Sequence, residues 1–456
     1  MDIKRLILVG LVSLFFMAAP AQAGDKQQSS GNSMVMDMEE AVRFGLDHSP
    51  RVQAEEYGIR RSESEVKSVR GQFLPQASFG AGYTYLDSLS TSGRLPDTDE
   101  LDQTQYQWNL QVVQTVFAGL TILSSYRKAQ IEQEISEISK ETAERELVRE
   151  IQHHFLELLK AREDKRSLTS SIERLEVGLE ASKSFYEKQL TPYVDVLQAE
   201  VELEEARQEL IQAKNEKRIQ RTQLNSLLGL DHYKPVQYRG DLEKIAVEPV
   251  FDSDQVLEKA MEQRTELQFL QKNMAATEQE RRITRGEKMP RVNLEFNYTS
   301  RRRDYDDVPH DPLREPDDYE ESTFWTAGAT LEWNFFTGGQ QYYQHEGLDY
   351  ELRRLNQTLE DAKSSILSEA RTAYLRLQEA RERLVSARKA LAAAGENYSM
   401  QEHRYKQRVG TITDLLTAQE HLTGAEVRKN QALLDYQQAM AEVYFAMGER
   451  NYALIP

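Results

Sequence analysis

The side chains best suited to acid–base or nucleophilic chemistry are scattered along this chain rather than grouped. Eight histidines are present, among them His153-His154, His345, His403 and His421. None forms the H-E-x-x-H pair that turns two imidazoles of one helix face toward a zinc ion. There is no G-x-S-x-G nucleophile turn, no phosphate-cradling P-loop and no glycine fingerprint for a dinucleotide. With no cysteine in the sequence, a thiol nucleophile, a disulfide and an acylated N-terminal cysteine are all excluded. No catalytic, cofactor-binding or metal-ligating constellation is expected, and an enzyme is not the reading of choice.

What does recur is a tyrosine followed nine residues later by an aspartate. Tyr186 and Asp195 lie in FYEKQLTPYVDVLQAE, and Tyr405 and Asp414 lie in RYKQRVGTITDLLTAQ. Leu197 and Ala199 fall on Leu416 and Ala418 at the same offset, as does Val116-Phe117-Ala118-Gly119 on Phe335-Phe336-Thr337-Gly338. Farther upstream Pro75, Tyr83 and Thr84 fall on Pro290, Tyr298 and Thr299 at a slightly shorter offset. The chain is therefore one half written twice, which sets the frame for every local assignment.

Each half reads as a helix (Met38 to Arg70; Asp254 to Glu287), two strands, a very long helix, a break, and another helix. The first repeat spans 24–230, with strands near 75–85 and 105–117, a long helix over 121–190 and a helix over 193–229. The second spans 254–447, with strands near 291–299 and 324–336, a long helix over 340–408 and a helix over 411–447. A linker at 231–253 carries Pro235, Gly240 and Pro249, which interrupt helix, and a short tail, 448–456, follows.

The long helical stretches contain no proline and only isolated glycine, so each can extend for about 100 Å at ~1.5 Å per residue. From Ile366 through Ala370, Ala373, Leu377, Ala380, Leu384, Ala387, Leu391 and Ala394 to Tyr398, apolar steps of four and three alternate, which is a heptad seam. The same register runs through Ala418, Leu422, Ala425, Ala432, Tyr436, Ala439, Val443 and Ala446, with Lys429 in one seam position. Val196, Ala199, Leu203, Ala206, Leu210 and Ala213 repeat it in the first half. The breaks Gln189-Leu190-Thr191-Pro192 and Arg408-Val409-Gly410-Thr411 reverse the chain, since proline suits a helix start and glycine a helix end.

The strands alternate apolar and polar residues. Ala77, Phe79, Ala81, Tyr83 and Tyr85 oppose Gln76, Ser78, Gly80, Gly82 and Thr84, while Tyr106, Trp108, Leu110, Val112 and Val116 oppose Gln105, Gln107, Asn109, Gln111 and Thr115. Val292, Leu294, Phe296 and Tyr298, then Trp325, Ala327, Ala329, Leu331, Trp333 and Phe335, repeat the pattern. One greasy, aromatic face and one wet face over about ten residues suit a membrane barrel, with Tyr83, Tyr85, Tyr106, Trp108, Tyr298, Trp325 and Trp333 as its aromatic girdle. Hydrocarbon tolerates no open sheet edge, and four strands cannot close a barrel that needs about eight or more. Sister chains must complete it, two giving eight strands and three giving twelve. The polar segments 86–104 and 301–323 read as loops outside the cell, the acidic second one as a solvated loop.

Lys4 and Arg5, an apolar run from Leu6 to Ala19 and Ala21-Gln22-Ala23 read as a signal peptide over 1–23, so the chain leaves the cytoplasm. Beyond it no apolar run approaches the ~18 residues of a membrane helix, and mean hydropathy is −0.67. A net charge of −18 argues against a nucleic-acid partner, which requires a basic face.

The order of elements and the paired motifs YEKQLTPYVDVLQAE and YKQRVGTITDLLTAQE resemble the TolC family of outer-membrane efflux proteins. The resemblance covers essentially the whole chain after the signal. It implies a mainly helical fold with membrane β, in which a homotrimer closes a twelve-stranded barrel continuous with a periplasmic helical tunnel. It implies a passive channel in a Gram-negative outer membrane, serving efflux or secretion with a periplasmic adaptor and an inner-membrane transporter. Tyr405 and Asp414, their counterparts Tyr186 and Asp195, and Arg408 would form an iris-like gate. The tips Gln189, Leu190, Thr191 and Pro192, and Val409, Gly410 and Thr411, would dock the adaptor. Two departures stand out: the family's glycine three residues after the tyrosine is Gln189 and Arg408 here, and its second aspartate is Thr417. The competing reading is a periplasmic coiled-coil adaptor or scaffold, which should lack lipid-facing strands and carry a lipoyl-like β domain.

Overall fold

The computed structural model describes residues 34–89, 101–243, 252–305 and 319–449; the expected signal peptide and the tail from 450 onward fall outside them. The elements run β1 (Val35–Met36), α1 (Met38–His48), α2 (Pro50–Gly71), β2 (Gln76–Leu89), β3 (Leu101–Ala118), α3 (Thr121–Glu187), α4 (Tyr193–Leu227), β4 (Gln237–Tyr238), α5 (Ser253–Gln263), α6 (Thr265–Gly286), β5 (Arg291–Tyr305), β6 (Tyr319–Glu332), α7 (Gln340–Lys406) and α8 (Ile412–Ala446).

Helices dominate. Both α3 and α7 are 67 residues long, and both α4 and α8 are 35, so each half ends in a hairpin of one long and one short helix. Ile366, Ala370, Ala373, Leu377, Ala380 and Leu384 of α7 are buried in one cluster with Ala432, Tyr436 and Val443 of α8, and Ala418, Leu422 and Ala425 are buried nearer the turn; these are positions of the seam read from the heptads. Lys429, the charged seam position, pairs with Glu243 of the inter-repeat linker. The main core lies midway along the helices, where Ile151, Phe155, Leu156, Leu224, Leu228, Leu433, Leu434 and Met440 exclude water around the small parallel pair β1–β4.

The structure corrects the sequence reading at four points. The single helix expected over Met38 to Arg70 breaks at Ser49, whose ψ of 126° is extended; Pro50 follows, and its ring disfavours a helical residue before it. The helix expected over Asp254 to Glu287 breaks at Arg264, with ψ 123°. There the guanidinium is tied to Glu266 at 2.8 Å and to Glu369 of α7 at 3.0 Å, a long-range anchor without proline. Burial alone would lower the Arg264 pKa, and these two carboxylates raise it on balance.

The other two corrections concern the sheet. Its strands run farther into 86–104 and 301–323 than the composition of those segments suggested, while β6 stops at Glu332 and leaves Trp333 and Phe335 beyond it. Val116, assigned to the apolar face, is bulged: Thr115 pairs with Asn293, Phe117 with Val292, and Phe117 takes the apolar-face position.

The sheet order β2-β3-β5-β6 is antiparallel throughout. Its register aligns Phe79 with Leu110, Leu110 with Tyr298, and Tyr298 with Trp325 across all four strands on one face. Outward exposure of Tyr83, Trp325 and Leu331 at 63%, 66% and 67% leaves this greasy face without cover from the chain itself. At the junction with the helices, Gly119 and Leu120 have φ of 61° and 68°, and Gly338 and Gly339 have 61° and 86°. These left-handed residues turn each strand into its long helix.

Candidate functional site

The tips of the two hairpins hold the recurring tyrosines and aspartates, and the backbone there explains their spacing. Helix α3 ends with Gln189 N–H donating to Tyr186 O at 2.8 Å and Leu190 N–H to Phe185 O at 2.9 Å. In α7, Arg408 N–H donates to Tyr405 O at 3.0 Å and Val409 N–H to Arg404 O at 2.9 Å. Both are Schellman ends, in which each tyrosine carbonyl receives the closing bond. The third residue after each tyrosine is left-handed, Gln189 at φ 60° and Arg408 at φ 62°. That conformation is one glycine adopts without steric cost, so the departure from the family pattern leaves the turn intact.

The two tyrosines then diverge. Tyr405 is buried, and its hydroxyl lies 2.8 Å from Ser182 Oγ of α3. Phe185 meets its ring edge-on at 5.5 Å, and Arg408 sits 5.6 Å over Phe185. Burial pushes the Tyr405 phenol up, the Ser182 bond opposes this, and the charge of nearby Asp195 adds to it. Tyr186 is 45% exposed and stacks only locally, 5.2 Å from Tyr193 across its own turn.

The aspartates diverge as well. Asp414 completes a capping box: its backbone N–H donates to Thr411 Oγ1 at 3.1 Å, and its Oδ2 accepts from the Thr411 backbone N–H at 3.3 Å and also from Thr411 Oγ1 at 2.8 Å. Those Thr411 bonds hold the Asp414 carboxyl below the usual aspartate range. Asp195 also lies in the first turn of its helix, but the cap residue there is Pro192, and no side chain caps α4.

Sequence reasoning missed the polar groups that tie α3 to α8 above the tip. Arg174 Nε donates to Gln419 Oε1 at 2.9 Å, and its terminal nitrogens reach Glu426 at 3.3 and 3.4 Å. Gln419 Nε2 donates to Ser171 Oγ at 3.0 Å, and Asn430 Nδ2 to Asp164 Oδ1 at 3.0 Å. The available signal was Gln419 and Asn430 lying close to the seam positions Ala418 and Ala432 of an otherwise small, apolar helix face. Together with Tyr405–Ser182 these bonds fasten the second hairpin to the first. They are reversible contacts between packed helices, suited to movement rather than to bond chemistry. Among the described residues no group of three His, Cys, Asp or Glu side chains could hold a metal ion.

At the other end, aromatic residues of the expected girdle lie in neighbouring pairs on the sheet. Ring centroids lie 5.3 Å apart for Tyr83–Tyr106, 5.2 Å for Trp108–Tyr298 and 6.3 Å for Phe296–Trp325. Tyr85 is exposed on the same face. Trp333, just past β6, donates from Nε1 to Lys288 O at 3.1 Å. No helix among the described residues is long and apolar enough to cross a membrane.

A profile of the family described as outer membrane efflux protein matches residues 45–230 and again 256–449, once on each half. The chain belongs to the outer membrane efflux protein family. The fold is that of solved outer-membrane channels. The outer membrane channel CmeC of Campylobacter jejuni superposes with a TM-score of 0.76 at 15% identity, over 90% of this chain and 85% of the other. VceC of Vibrio cholerae gives 0.72 at 15%, over 90% and 96%. The open-state outer membrane channel MtrE of Neisseria gonorrhoeae gives 0.69 at 16%, over 90% and 88%. No curated protein matches the chain. As an outer membrane efflux protein, the chain places its β-sheet in the outer membrane and extends its long helices into the periplasm.

Proposed function

We propose that this outer membrane efflux protein is the passive outer-membrane conduit of a tripartite efflux or secretion system. Three copies close a twelve-stranded barrel, and their helical hairpins form a tunnel toward a periplasmic adaptor and an inner-membrane transporter. The observation that carries this reading is the continuous aromatic face across β2-β3-β5-β6, with β2 and β6 each paired on one side only. An open edge in lipid costs several kcal/mol for each unpaired backbone group. Closure by sister chains removes that cost, and an even strand number of twelve falls within the known range of such barrels.

The gate is at the tips. Tyr405, Arg408 and Asp414, with Tyr186 and Asp195, surround the point where the second hairpin swings away from the first, and the exposed turns 189–192 and 409–411 receive the adaptor. Opening requires loss of the Tyr405–Ser182 bond and of the Arg174 contacts to Gln419 and Glu426. The conduit consumes no energy and performs no reaction. Its test is electrical: purified protein in a planar bilayer should give discrete conductance steps, and Asp414→Ala should change their size or their block by divalent cations. Unchanged conductance and block in that variant remove Asp414 from the gate. Release of the protein with soluble periplasmic contents, without detergent, supports the adaptor or scaffold reading instead.

A further inference from the structure

The wet face of the sheet is not neutral along its length. Much of it is amide and hydroxyl: Asn109, Gln111 and Thr115 on β3 lie opposite Thr299, Asn297 and Asn293 on β5. At the loop end of β5 the pattern changes to Arg301-Arg302-Arg303. The register separates these three arginines. Arg302 pairs with Tyr106 and Glu321 on the aromatic face, and its Nε donates to Asp304 Oδ1 at 2.7 Å. Arg301 lies on the opposite face, between Gln107 of β3 and Ser322 of β6. Its Nε donates to Gln107 Oε1 at 3.3 Å, and Gln105 Nε2 donates to the same oxygen at 3.2 Å. Arg303 follows on the same face, with Nε donating to Gln105 Oε1 at 3.4 Å.

A neutral amide can hold a guanidinium in place without cancelling its charge, whereas a carboxylate pair largely neutralises it. On β5 the next carboxylate of the wet face, Glu295, is about 20 Å away along the strand at ~3.4 Å per residue and accepts a bond from Thr330 at 2.9 Å; on β6, Glu320 lies opposite Arg303 on this face, while Arg301 itself lies opposite Ser322. Arg301 thus presents N–H donors in a fixed planar fork, the geometry that suits carboxylate, sulfonate or phosphate groups.

We propose that Arg301, held by Gln107, forms an anion-coordinating ring inside the barrel near its outer mouth, one guanidinium from each protomer. This deepens the conduit reading and rests on it, because the wet face is the lumen only if the barrel closes. The ring would draw anionic solutes past the amides and hydroxyls that line the neighbouring rows of the wall, and it marks negatively charged or zwitterionic cargo as the favoured class. Rings of arginine set anion preference in pores by the same electrostatics.

The test is reversal potential in planar bilayers across a potassium chloride gradient, with the full-length protein. Arg301→Gln should shift the chloride-to-potassium permeability ratio toward potassium by about twofold or more. Arg301→Lys should hold the ratio near the original, and Arg302→Gln, on the lipid-side face, should leave it unchanged. A conducting Arg301→Gln channel with the original ratio overturns the proposal, as does an equal shift from Arg302→Gln. If the unaltered protein gives no conductance, the conduit reading itself fails and this inference falls with it.

Discussion

The two hairpin tips carry the same motif on the same backbone, yet only one is fastened. At the first tip Tyr186 is half exposed and touches its own turn, and α4 begins without a side-chain cap. At the second, Tyr405 is buried against α3, Asp414 closes a capping box, and Arg174 of α3 reaches across to Gln419 and Glu426 of α8. Duplication preserved the turn geometry, and the neighbours decided the role. On the proposed gating, opening separates the second hairpin from the first and breaks these bonds.

The largest expected effect separates the tyrosines. Tyr405→Ala removes a buried aromatic ring and should destabilise the tip by about 3–5 kcal/mol, the range for large aromatic truncations in cores. Tyr186→Ala, at a partly exposed site, should cost under about 1 kcal/mol. Amide exchange at the ends of α7 and α8 measures both; equal losses would erase the asymmetry.

A smaller effect tests what the tips share. Gln189→Gly should relieve a left-handed residue and stabilise its turn by up to about 1 kcal/mol. Arg408→Gly should gain less, because it also loses the contact of the guanidinium with Phe185. Equal gains in thermal unfolding would show that this contact contributes nothing.

The smallest effect is a pH response at one tip only. The Asp414 carboxyl is held below its ordinary range by Thr411, so its stabilising effect is present above that range and disappears as pH falls through the depressed value. Protection of the Asp414 amide, corrected for intrinsic exchange, should therefore fall in strong acid, and Asp414→Asn should flatten the response. A matching response in the first turn of α4 would show that the cap is not its source.

Much of the architecture was legible because it is periodic. Heptad steps in 366–398 announce a long packed helix, and alternation around Trp108 and Trp325 announces strands with one greasy face. The Ser49 break was missed although its signal, Pro50, stands beside it. The Arg264 break was not legible, because it depends on Glu369, more than a hundred residues away in sequence. The bulge at Val116 likewise depends on the partner strand, since both Val116 and Phe117 suit an apolar face and only the pairing with Val292 decides between them. At the candidate gate the tyrosine and aspartate positions were readable from the repeat. Their unequal burial was not, because it comes from Ser182 and Phe185 on another hairpin.

On the proposed reading, four strands with a lipid-facing aromatic surface are completed by other copies of the same chain. The most direct measurement is the mass of the detergent-solubilised particle by native mass spectrometry. Three chains in one particle, separating only on denaturation, are expected. A stable monomer carrying no detergent belt would contradict that reading.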